Sequence, residues 1–67
     1  MEQNIKNNGN EFVIGTKTVL TEDTIFFKDN GSHIAIGIEN SSTKEANYYF
    51  VYKKNARELH EWLKNHL

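Results

Sequence analysis

Three histidines, three serines and a cluster of aromatic residues are the side chains whose types could carry chemistry in this sequence. His60 and His66 stand six residues apart, whereas a helical zinc pair needs one-turn spacing, and His33 lies beside a turn far away in the chain. With no cysteine and no carboxylate at a ligand spacing, neither a metal site nor a cofactor is expected. Ser32, Ser41 and Ser42 fall in turn-like stretches, where serine serves local hydrogen bonding. Ser32 and His33 are neighbours, but adjacent strand residues point to opposite faces, so they are not expected to form a nucleophile and base pair. Gly15 and Gly37 are isolated in strand patterns and make no phosphate-binding loop. These residues point away from an enzyme.

The aromatic residues point toward association. Phe26 and the run Tyr48-Tyr49-Phe50-Val51-Tyr52 hold more apolar surface than one helix can cover, and Lys28 and Lys53 lie at strand ends close to them. The candidate interaction surface is therefore Phe26, Tyr48, Tyr49, Val51, Tyr52, Lys28 and Lys53. Rings flanked by lysines would also suit single-stranded nucleic acid, with bases stacked on the rings. Charge argues against it: eight Lys and Arg stand against nine Asp and Glu, for a net charge of −1. Phosphate binding normally shows as a basic excess.

The elements that must position these residues are legible from period and turn chemistry. From Glu11 to Thr21 apolar and Thr residues alternate, with Phe12, Ile14, Thr16, Thr18 and Leu20 on one side and Val13, Gly15, Lys17 and Val19 on the other. Glu22-Asp23 reads as a turn, and Thr24 to Lys28 as a second strand ending at Asp29-Asn30-Gly31-Ser32. Placing Asn30-Gly31 at the centre of a type I′ turn sets Lys28 opposite His33, Phe27 opposite Ile34, Phe26 opposite Ala35 and Ile25 opposite Ile36. Ile25, Phe27, Ile34, Ile36 and Ile38 then share one face, so turn chemistry and alternation agree.

Residues 40–47 read as a polar loop and Tyr48 to Lys53 as the last strand. Asn55 reads as a helix N-cap with Glu58 three residues on, opening a helix whose stripe is Ala56, Leu59, Trp62, Leu63 and Leu67. The first ten residues, Asn-rich with Ile5 as their one aliphatic side chain, read as a flexible arm before a single domain over 11–67. An alternative closes a hairpin at Asn8-Gly9 between a short strand around Ile5 and Phe12.

The expected fold is α+β: a small antiparallel meander of three to four strands with one C-terminal amphipathic helix packed on one face. At 67 residues, folding buries only about 60% of the surface of the unfolded chain, so one modest core must suffice. No apolar run approaches the roughly 18 residues of a membrane span, and the start lacks the pattern of a signal peptide, so a cytoplasmic location is expected. Asn, Lys, Ile, Phe and Tyr together make up 29 of the 67 residues, a bias toward AT-rich codons that suits a bacterial or phage genome.

In outline, Ile34 to Leu67 resembles the last strands and closing helix of pleckstrin-homology-like domains. The whole chain resembles the sheet-plus-helix unit of dimeric transcription-cofactor domains that bind single-stranded DNA. The chain is too short for a pleckstrin-homology barrel and lacks the basic residues of the DNA-binding unit, so no functional residue is carried over. The expected function is a small non-enzymatic protein-interaction module, in the manner of a phage or mobile-element regulator that binds and inhibits a host protein. The alternatives are a dimeric single-stranded nucleic-acid-binding protein and a dimer that sequesters a small ligand. A homodimer is expected in each case, its contact on the sheet face or edge opposite the helix, where Phe26 needs cover.

Overall fold

Hairpin turns of one design open and centre the sheet. The computed structural model describes residues Met1–Leu67. In it, Asn7-Asn8-Gly9-Asn10-Glu11 and Asp29-Asn30-Gly31-Ser32-His33 turn by the same means. The N–H of the glycine donates to the Asx side chain two residues earlier, at 3.0 Å for Gly9 to Asn7 and 2.9 Å for Gly31 to Asp29. The intervening Asn N–H donates across the turn, from Asn8 to the Glu11 carbonyl at 3.1 Å and from Asn30 to the His33 carbonyl at 3.0 Å. Gly9 and Gly31 sit at φ 90° and 91°. That is the left-handed region which a side chain would strain.

These turns help build a five-stranded antiparallel meander in sequence order: β1 (Glu2–Asn7), β2 (Glu11–Lys17), β3 (Glu22–Asp29), β4 (His33–Asn40) and β5 (Glu45–Tyr52), followed directly by α1 (Lys53–His66). The antiparallel sheet and C-terminal helix match the sequence reading; the strand number exceeds the three to four expected. The additional strand is β1. It takes the first residues out of the flexible-arm reading and realises the Asn8-Gly9 hairpin, with Ile5 opposite Ile14. Its backbone groups gain a ladder although every β1 side chain stays exposed, so hydrogen bonding rather than burial holds it.

The central hairpin differs in register from the sequence reading. Asp29 pairs with Ile34, Lys28 with Ala35, Phe27 with Ile36, Phe26 with Gly37 and Ile25 with Ile38, a shift of two residues. The reason lies in the turn, where Gly31 and Ser32 rather than Asn30 and Gly31 are the two loop residues. Gly31 has the positive φ and Asn30 does not, so the glycine takes the first loop position, as in a type II′ connection. A two-residue shift preserves side-chain parity. The aliphatic face of Ile25, Phe27, Ile34, Ile36 and Ile38 therefore survives as read, and the structure adds Ile5, Phe12, Ile14, Tyr49 and Val51 to it.

Three further boundaries move. The chain turns at Thr18–Thr21 rather than at Glu22-Asp23, because the Thr18 N–H bonds the Thr21 carbonyl at 2.8 Å and the two hydroxyls meet at 2.9 Å. β5 begins at Glu45, shortening the 40–47 loop. There Asn40 Oδ1 accepts the N–H groups of Ser42 and Thr43, each at 3.0 Å, and Lys44 takes φ 59°. The helix begins at Lys53 with Tyr52 as its N-cap and no side-chain capping bond, so Asn55 lies inside the first turn instead of capping it.

The largest difference concerns the helix. It touches only β4 and β5, and none of its residues is buried. Lys53 and Ala56 are its half-buried residues, and the Lys53 ammonium lies 2.9 Å from Asp29 Oδ1. Leu63 stays 39% and Trp62 56% exposed, so the amphipathic stripe does not pack across the sheet as expected. The one buried residue of the chain is Gly37, and no apolar side chain is buried. The accessible surface is 5635 Å², against about 4,400 Å² for a folded monomer of 7.8 kDa. The radius of gyration is 13.2 Å, against about 11 Å for a compact chain of this length. The fold alone has a complete backbone ladder and an open core.

Candidate functional site

Residue parity divides the aromatic side chains between the two faces. Phe26, Tyr48, Phe50 and Tyr52 lie on the face opposite the aliphatic one, together with His33, Ala35 and Gly37. Tyr49 and Val51 lie on the aliphatic face. The expected surface of Phe26, Tyr48, Tyr49, Val51, Tyr52, Lys28 and Lys53 is thus split. Lys28 shares the ring face, while Lys53 turns to Asp29, which stands on the aliphatic face. Phe50, absent from that surface, lies between Tyr48 and Tyr52 along the ring-face side of the edge strand β5. Period-two counting from Phe26 through Gly37 to Tyr48 would have found it, since Phe50 follows Tyr48 by two.

On the ring face the aromatics form a nearly continuous strip. Phe26 lies over Gly37, its directly paired neighbour; a Cβ on Gly37 would fall within the Phe26 ring. The Phe26 and Tyr48 centroids are 6.1 Å apart and the rings tilted. Phe50 meets Tyr52 edge to face at 5.3 Å and His33 at 5.5 Å. These separations suit favourable aromatic pairing. Tyr48, Phe50 and Tyr52 nonetheless remain about 60% exposed (65%, 60% and 59%). The Tyr48 hydroxyl donates to Glu39 Oε1 at 3.4 Å, which holds one end of the strip. Charge on this face is mixed: Lys6, Lys17 and Lys28 stand among Glu2, Glu11, Glu22 and Glu39.

The groups with catalytic potential are arranged differently from the sequence reading in one respect. Ser32 Oγ lies 3.1 Å from His33 Nδ1, because Ser32 belongs to the turn and escapes strand alternation. On the other side of the ring, Asn30 Nδ2 lies 3.5 Å from Nε2. No carboxylate orients the imidazole, and the pair sits on an exposed turn rather than in a cleft. Its contribution is to fix the turn and hold the His33 ring against Phe50. Ser41 Oγ donates to the Glu22 carbonyl at 2.8 Å and Ser42 Oγ to the Leu20 carbonyl at 3.3 Å, so both tie neighbouring loops together.

His66 stacks on Trp62 at 4.2 Å, and its Nδ1 donates to the Trp62 carbonyl at 2.7 Å, closing the last helical turn. No group of three or more His, Asp or Glu side chains gathers within metal-binding reach. Asp29 has a perturbed carboxyl. The Gly31 N–H and then the Lys53 ammonium hold it below the usual carboxylate range.

Comparison of the chain with protein-family models, with curated proteins and with solved structures found no match. Inference about function therefore rests on the surfaces themselves. No helix is long and apolar enough to cross a membrane. The largest depression, about 350 Å³, lies on the ring face around Gly15. It is lined by Asn4, Lys6, Lys17, Glu22 and Thr24, with Val13 as its one apolar wall, a polar and open hollow unlike the mostly apolar pockets of small-molecule sites.

Proposed function

We propose that this protein is a non-enzymatic interaction module that acts in the cytoplasm by docking another protein on its ring face, in the manner of a phage or mobile-element regulator of a host protein. The observation that carries this reading is the strip of Phe26, Tyr48, Phe50 and Tyr52, in which Phe26 meets Tyr48 at a tilt, Phe50 meets Tyr52 edge to face, and the rings of Tyr48, Phe50 and Tyr52 stay largely open to solvent. Tyr is enriched among the residues that dominate binding energy, because a stiff ring offers large contact area at little entropic cost. Here each ring is already oriented by its neighbours, and Phe26 is seated over Gly37 so that the strip presents a preformed surface to a partner. The lysines and glutamates around the strip would supply a polar rim of either sign rather than a phosphate-binding groove.

The test is affinity capture with the intact chain and with Tyr48→Asp and Phe50→Asp. A discrete protein retained stoichiometrically by the parent and lost by both variants is expected. A parallel titration with labelled oligonucleotides at two salt concentrations discriminates the rival class. Tight binding that weakens steeply with salt would replace the protein-docking reading with that of a single-stranded nucleic-acid binder.

A further inference from the structure

The aliphatic face poses a separate problem from the ring face. Phe12, Ile14, Ile25, Phe27, Ile34, Ile36 and Val51 form one apolar field in which no side chain reaches full burial. The helix stripe of Leu59, Trp62 and Leu63 also stays about half exposed, although the helix touches β4 and β5. We infer that a second copy of this chain covers both: the two aliphatic faces meet about a two-fold axis, and each C-terminal helix lays its Leu59, Trp62 and Leu63 stripe on the sheet of the other copy. This contact lies on the face opposite the rings, contrary to the arrangement expected from sequence, and leaves the ring face free for a partner.

Area, charge and the missing core choose a second copy over a different protein. The chain exposes roughly 1,200 Å² more than a folded monomer of its mass should. Two copies together would hide about twice that, which falls within the roughly 2,000–5,000 Å² of obligate homodimers. The centre of the field carries no charge. At one end Lys53 is paired with Asp29; at the other Asp23, which accepts from the Asn40 amide, and Glu45 form an acidic end that the two-fold contact leaves at its solvated rim. A chain with no buried apolar side chain needs its cover during folding, and an identical copy is present whenever the chain is made. An isologous contact also needs only one self-complementary patch.

Light scattering over a tenfold dilution, together with denaturation at the same concentrations, tests the inference. A mass twice 7.8 kDa and a midpoint that rises with concentration are expected. Leu63→Asp should abolish both, although Leu63 lies on a helix that a monomer leaves open. Phe50→Asp should keep the doubled mass, so loss of partner capture and loss of the dimer are separable. Trp62, the single tryptophan, gives a direct reading in a mixture of isotope-labelled and unlabelled chains. Filtered nuclear Overhauser effects from its indole to isoleucine methyls should cross between chains. A monomeric mass with a concentration-independent midpoint, a dimer broken by Phe50→Asp but not by Leu63→Asp, or indole contacts confined within one chain would each overturn the inference.

Discussion

Gly37→Ala is expected to destabilise this protein although it places a better strand former in a central strand. In an ordinary strand, alanine in place of glycine gains roughly 0.5–1 kcal/mol by restricting the unfolded chain. At Gly37 the new methyl would fall within the ring of Phe26, so the ring must leave its position. Forcing a packed aromatic off its rotamer costs about 1–3 kcal/mol. The net expectation is a loss of about 0.5–2 kcal/mol. In a Phe26→Ala background the obstruction is gone, and the same glycine substitution should then stabilise by roughly 0.5–1 kcal/mol. The double-mutant cycle therefore carries a coupling of about 1–3 kcal/mol and reverses the sign of the Gly37 effect. Urea denaturation of the four proteins at one fixed chain concentration measures it, the fixed concentration keeping association from entering the comparison. Equal effects of Gly37→Ala in both backgrounds would refute the reasoning and mean that Phe26 does not rest on Gly37 in solution.

Gly31→Ala should cost about 1–2 kcal/mol by denaturation, since φ is 91° and no neighbour lies within 4 Å of the added methyl, leaving backbone strain alone. The same change at Gly9, whose hairpin joins the exposed edge strand β1, should register by hydrogen exchange as lost protection in β1 rather than as a comparable global loss. Lys44→Gly should be neutral or stabilising by up to about 1 kcal/mol in thermal melts, because relief of the left-handed backbone at φ 59° outweighs or balances the entropy of glycine. The folded-state pKa of Asp29 is lowered, so its contribution is present above the ordinary carboxylate range and is lost as pH falls through the lowered value. Asp29→Asn should accordingly reduce stability at neutral pH and flatten its acid dependence, as followed by denaturation midpoints across the acid range.

Local chemistry made much of the fold legible in the sequence. Alternation from Phe12 to Lys17 and from Ile34 to Ile38 marks the strands, and Asn30-Gly31 locates the central hairpin, whereas Asn8-Gly9 offers the first only as an alternative to a flexible arm. The spacing of Ala56, Leu59 and Leu63 gave the helix. The aliphatic face survived even a wrong register at Asn30-Gly31, because a two-residue shift leaves every side chain on its own side. Which residue of that turn adopts positive φ was decided by how the Asp29 carboxylate and the strand ladder together seat Gly31, a choice between two glycine-compatible turns that composition leaves open.

Other features depend on neighbours distant in sequence. β1 has too little apolar content to announce itself and exists because the open edge of β2 offers hydrogen-bond partners. Ser32 meets His33 because the turn breaks alternation at that residue. Phe26 comes to rest on Gly37 only once register pairs them. The helix shows the division most plainly. Its apolar stripe is a property of residue spacing and was readable, but a stripe carries no address. Whether it covers its own sheet depends on the path by which the chain leaves β5, and Tyr52 passes into Lys53 without a loop that could fold the helix back.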